Sequence, residues 1–176
     1  ASTEEQQELQ NNMSEIQQAI TEITRRASDE RRCYTDEEIK KLDEYFQELR
    51  DLKNRELEIQ QNIASAITQQ ASTIAESYSG SLDEYKMVSQ EWLKTAQDQA
   101  KNQISLIESS TIEEIALLNQ RYGDEANMQN QAYALEYDRI MWQKQNKINA
   151  VNDEVAKVNL AFTNGFAERI NPSCRT

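Results

Sequence analysis

The sequence predicts an all-α protein, with long helices in an elongated coiled coil or in an antiparallel hairpin or bundle. Three observations carry that prediction. Only three Gly and one Pro interrupt 176 residues rich in good helix formers. Apolar residues recur at spacings of three and four along much of the chain. Two Thr/Ser-x-x-Glu boxes stand where one apolar series stops and the next begins. Disorder is the other reading of a chain only 38% apolar, and the regular apolar spacing argues against it.

The elements follow in order. Leu9, Met13, Ile16, Ile20, Ile23 and Ala27 are spaced 4-3-4-3-4, a heptad seam that predicts a helix over roughly 4–33. The seam then fails at Glu30, and a new series opens out of phase at Ile39, Leu42, Phe46 and Leu49. Between them lies RRCYTDEEIKKL (31–42), where Thr35 and Glu38 form a capping box. This stretch reads as a joint, with a second helix over 36–78.

Beyond Leu52 the spacing changes. Ile63, Ile67, Ala71, Ile74 and Tyr78 run 4-4-3-4, while Ile104, Ile107, Thr111, Ile115, Leu118 and Tyr122 run 3-4-4-3-4. Both fit an eleven-residue repeat, close to the natural helix period, so nearly straight helices are expected. Ser81-Leu82-Asp83-Glu84 is a second capping box, which sets a third helix at 82–122. The two series lie 44 residues apart. The same step leads on to Val151, Val155, Asn159, Phe162 and Phe166, and back to Ala19, Ile23, Ala27, Glu30 and Tyr34. An aromatic thus recurs at 34, 78, 122 and 166, each beside an expected break. A 44-residue helical repeat accounts for this, and so do four hendecads of any straight helix. A fourth helix is expected over 125–164, with 165–176 as a tail of one single helical region, 1–176.

Charge narrows the partners. The net charge is −12, and it is uneven: residues 1–125 carry 26 acids and 13 bases, while residues 126–176 carry 5 and 6. Nucleic acid and anionic membrane surfaces are therefore not expected. No apolar run approaches the ~18 residues of a membrane span. The opening at Ala1 is expected of a processed or excised chain.

Signs of chemistry are few. There is no histidine, which removes Ser-His-Asp and Cys-His triads, Glu-x-x-His di-iron sites and the usual zinc enzymes. Glycine at 80, 123 and 165 only leaves no phosphate loop, and no EF-hand pattern occurs. Glu37-Glu38, Asp83-Glu84 and Glu113-Glu114 fall near helix starts or on polar faces, where carboxylates stay ordinary. Cys33, flanked by Arg31 and Arg32, is a reactive thiol or an incidental one at an exposed joint, and the joint is the simpler reading. Cys174 lies past the last helical signal. RRASDERR (25–32) reads as a solvated helix end rather than an anion site, because Asp29 and Glu30 neutralise its middle. Trp92 and Trp142 are expected in cores or seams. Neither catalysis, a cofactor nor a metal is expected.

The stretch NNMSEIQQAITEITRRASDERRCYTDEEIKKLDEYFQELRDLKNRELEIQQ (11–61) resembles the helical middle of tape measure proteins from long-tailed phages and prophages of Gram-positive bacteria. YSGSLDEYKMVSQEWLKTAQ (78–97), IALLNQRYGDEA (115–126) and AFTNGFAERI (161–170) are similar in character. The resemblance implies a structural segment of a length-determining tail protein. Such a protein would occupy the bacterial cytoplasm during virion assembly and the tail interior afterwards. It implies self-association, or association with other tail proteins, through coiled-coil seams. No catalytic residue carries over. The working residues would be the seam positions already named, including Val151, Val155 and Phe162 in the last helix, and the caps Thr35 and Ser81. A generic helical scaffold or partner-binding module, spectrin-like or like a chromosome-maintenance arm, is the alternative. An enzyme or metal-binding bundle is a third reading, which the lack of histidine opposes.

Overall fold

A computed structural model describes residues 3–122 and 131–170. The chain is all-α, with four helices packed against one another and no strand among the described residues: α1 (Thr3–Asp29), α2 (Asp36–Ser77), α3 (Leu82–Tyr122) and α4 (Gln131–Ile170). The start expected for the last helix at 125, the Gly123 joint, Cys174 and the end of the predicted tail lie outside the described residues.

Two helix ends differ from their expected places, each for a visible reason. α1 stops at Asp29 instead of running to 33. The amide of Arg31 bonds the Ser28 carbonyl and the amide of Arg32 bonds the Ala27 carbonyl, both at 3.1 Å. Arg31 has φ 51°. These are the paired bonds and the left-handed residue of a Schellman end, a place usually held by Gly. At the other end of the chain, Gly165 does not break α4, which continues to Ile170. A Cβ at Gly165 would run into the Tyr85 hydroxyl and come within 2.7 Å of the Ala75 carbonyl oxygen. This glycine lets neighbouring helices approach closely, and the helix passes straight through it.

α2 begins as its box requires. The Glu38 amide donates to Thr35 Oγ at 3.1 Å, and Glu38 Oε1 accepts the Thr35 amide at 2.9 Å. At α3 the forward half of the box is made, Glu84 amide to Ser81 Oγ at 3.2 Å, while the Glu84 carboxylate takes the Tyr78 hydroxyl at 3.2 Å.

The chain divides into two compact units. Unit 1 comprises Ala1–Ile59 and Leu106–Gln145; unit 2 comprises Gln60–Ser105 and Asn146–Thr176. Within unit 1, Glu5 of α1 pairs with Arg55 of α2 (Nε–Oε1 3.1 Å), so the two run antiparallel through the Thr35 joint. The end of α3 lies beside the start of α4, with Leu118, Tyr133 and Ile140 as a buried cluster. Within unit 2, α2, α3 and α4 enclose Ala71, Ala75, Tyr85, Ala96, Val158 and Phe162. Gln99 Nε2 of α3 reaches Gln60 of α2 (Oε1, 2.8 Å), and Thr68 of α2 reaches Glu154 of α4 (2.6 Å). The α2–α3 and α3–α4 pairs are antiparallel in this unit, and α2 and α4 run the same way.

Candidate functional site

The residues singled out in the sequence fall in packed seams and at joints. Of the predicted seam residues, Leu9, Met13, Leu42, Leu49, Ile107, Leu118, Val151 and Phe162 are buried. Ile16, Ile20, Ile23, Phe46, Ile63, Ile67, Ile74, Ile104, Ile115 and Val155 are half-buried. Ile39 departs from the expectation at 41% exposed, because it lies in the first turn of α2, where the helix has only just left the joint. Trp92 packs against the unit 2 cluster. Trp142 does not join a core: it is 67% exposed on the outer side of α4.

The Thr35 joint is held by charge. The Arg32 guanidinium donates to both Glu38 oxygens at 2.6 and 3.2 Å, to Glu30, and to the Cys33 carbonyl at 3.1 Å. The hydrogen bond from Arg32 is the largest influence pulling the Glu38 carboxyl down to about 2, followed by the bond from the Thr35 amide. Arg25 is likewise committed to Glu22 and Asp29. Arg25, Arg26 and Arg32 of RRASDERR thus serve neighbouring carboxylates, and Cys33 is an exposed free thiol beside them.

Tyr78, just past the end of α2, and Tyr122, the last residue of α3, behave alike. In unit 2 the Tyr78 and Tyr85 rings lie 6.1 Å apart, and Tyr78 donates to Glu84. In unit 1 Tyr122 and Tyr133 meet edge to face at 5.9 Å, and Tyr122 donates to Glu136 at 3.5 Å. Tyr78 and Tyr122 are 44 residues apart, and each closes onto the helix that follows. Tyr34, at the same offset, is exposed.

Two clusters were not read from the sequence. One is a buried charge layer in unit 1. Lys53 is 4% exposed, and its ammonium meets Glu113 Oε2 at 2.8 Å and the Ser109 hydroxyl. Glu56 and Ser110 are buried in the same unit. Glu113 therefore does not sit on a polar face as expected, since its side chain is only 12% exposed. The signal was present: Leu42, Phe46 and Leu49 continue at 3-4 spacing onto Lys53 and Glu56, charged residues on an apolar row. The other cluster is an aromatic and guanidinium node in unit 2. Arg169 lies over the Tyr85 ring at 3.9 Å and donates to the Ala75, Gly165 and Tyr78 carbonyls at 2.8 to 2.9 Å. The Tyr85 hydroxyl donates to the Phe162 carbonyl at 2.8 Å. Burial raises the Tyr85 phenol above its usual value, against the opposing charge of Arg169. Beside the node a groove of about 220 Å³ runs between α3 and α4, lined by Ser89, Gln90, Leu93, Asn159 and Phe166 among others.

Among the described residues, no group of His, Cys, Asp and Glu side chains is placed to hold a metal ion. None of the helices, as far as described, is long and apolar enough to cross a membrane. Compared with known proteins, the chain matches no family model, no curated protein and no solved structure.

Proposed function

We propose that the chain is a helical segment of a phage or prophage tail tape measure protein. In this reading it is a structural part of virion assembly that works through helix association, with itself or with other tail proteins. It acts in the bacterial cytoplasm during assembly and then inside the tail. The observation that supports this best, beside the resemblance of 11–61, is the run of three helices of 42, 41 and 40 residues. Each extends about 60 Å at 1.5 Å per residue, so coding length converts in proportion to distance. Fold-back within the units and an extended ruler are compatible when tail partners hold the joints open and the free chain closes them.

The test is tail length. An in-frame deletion of residues 82–125 in the encoding phage or prophage should shorten the tail by about 66 Å, measured by electron microscopy. Tails of unchanged length would overturn the reading. The antiparallel packing inside unit 2 favours a second reading, a helical scaffold or partner-binding module. A chain of that kind would leave tail length indifferent to the deletion.

A further inference from the structure

We infer that the buried Lys53–Ser109–Glu113 layer is a register key, which lets α2 and α3 of unit 1 part readily and close again in one alignment only. The inference rests on the ruler reading for its purpose, since a ruler must open, and on unit 1 alone for its mechanism.

At this one layer the two helices meet through ions, while Leu49 and Ile107 of the same helices are buried elsewhere in the unit. Lys53 and Glu113 are both largely removed from water, and the hydroxyl of neighbouring Ser110 is buried with no hydrogen-bond partner among the described residues. When apolar side chains are pulled apart, their whole burial free energy is lost. When a buried ion pair is pulled apart into water, both charges recover the hydration they gave up, so separation is easier than for the same area of Leu and Ile. Unit 2 offers the contrast. There α2 and α3 are joined through Ala71, Ala75, Tyr85 and Ala96 and by the uncharged Gln60–Gln99 pair, with Arg169 of α4 bound across them. The seam should therefore open first in unit 1.

The same charges discriminate on closing. Lys53 finds a carboxylate at 113. A slip of α3 by one heptad would set Leu106 or Gln120 in that place, leaving the buried ammonium without the Glu113 carboxylate. Apolar rows with repeating spacing tolerate such slips, because one Ile or Leu substitutes for another. A single ionic layer among them does not, which is how a polar residue in a coiled-coil seam fixes alignment.

Hydrogen exchange followed by mass spectrometry on the full chain tests the first half. Amides of Leu106–Leu118 should exchange at least about ten times faster than those of Tyr85–Ala100, in the same helix. Equal protection would overturn the inference, and this comparison needs no variant. The Lys53→Met/Glu113→Leu double variant tests the second half. It should slow exchange over Leu106–Leu118 about tenfold or more and leave Tyr85–Ala100 unchanged. Spin labels at positions 51 and 108, in a Cys33→Ser/Cys174→Ser background, should give one distance with the native layer after refolding. In the double variant they should give more than one. A single distance in the double variant, or exchange no slower than before, would overturn the key. All of this is read on the isolated chain, so failure here leaves the tail-length dependence standing. Tails indifferent to deletion would equally leave the key standing.

Discussion

Arg169, near the end of α4, closes the end of α2: its guanidinium binds the Ala75 and Tyr78 carbonyls while lying over the Tyr85 ring. α2 has no basic residue in its own last turn. The charge that satisfies its terminal carbonyls comes from another helix. Replacing Arg169 by Ala should cost about 2–3 kcal/mol of stability in thermal or urea unfolding, from lost charged hydrogen bonds and the ring contact. Arg169→Lys should recover little of this, because an ammonium lacks the planar two-pronged fork that reaches separate carbonyls while lying against an aromatic ring.

Gly165 gives a prediction whose sign separates two accounts. Judged by helix propensity alone, Gly165→Ala stabilises α4 by about 1 kcal/mol. Judged by packing, the new methyl meets the Tyr85 hydroxyl and the Ala75 carbonyl, and such overpacking costs about 1–3 kcal/mol. We expect a net loss, read as a lowered unfolding midpoint. A gain would mean that Tyr85 has room to retreat.

Arg31 offers the reverse case. It holds the left-handed position of the α1 end at φ 51°, a conformation costing an ordinary residue about 1–2 kcal/mol. Glycine adopts it without that cost, at the price of a more flexible unfolded chain. Arg31→Gly should raise stability by about 0.5–1 kcal/mol. A loss in the same unfolding assay would show that the Arg31 side chain contributes something further at the joint.

The Glu38 carboxylate predicts a pH dependence. Its folded pKa, about 2, lies below its ordinary 4.5, chiefly through Arg32. A group depressed in this way contributes stability above its unfolded pKa and loses it as pH falls through the folded one. Glu38→Gln should therefore destabilise the joint most above about pH 5, and the difference from the native chain should vanish towards pH 2. A difference that stayed constant across that range would assign the effect to helix capping by shape alone.

Some of this arrangement was legible in advance and some was not. The Thr35 box was readable because its partners are three residues apart, so nothing distant could alter it. The ends of α1 and α4 were not, because each turns on a residue acting against type. Arg31 takes a glycine's conformation, and Gly165 serves a neighbour rather than ending its own helix. Lys53 was passed over because a charged residue on an apolar row looks like the end of the row. Its meaning depends on Glu113, sixty residues on, in a helix whose facing side the spacing does not specify. Tyr85 was missed for the same reason: α3 buries residues against more than one neighbour, so no single stripe includes them all.

The cap that Arg169 provides also sets an order of events. Ala75 and its guanidinium partner are separated by 94 residues, a span that must be made before the last turn of α2 is complete. A chain leaving the ribosome from its N-terminus presents α2 and α3 long before Arg169 appears, so the two would wait with an open helix end. Long-range closure of this sort slows folding relative to a simple hairpin. The finishing residue of the second helix is synthesised only after α3 and nearly all of α4.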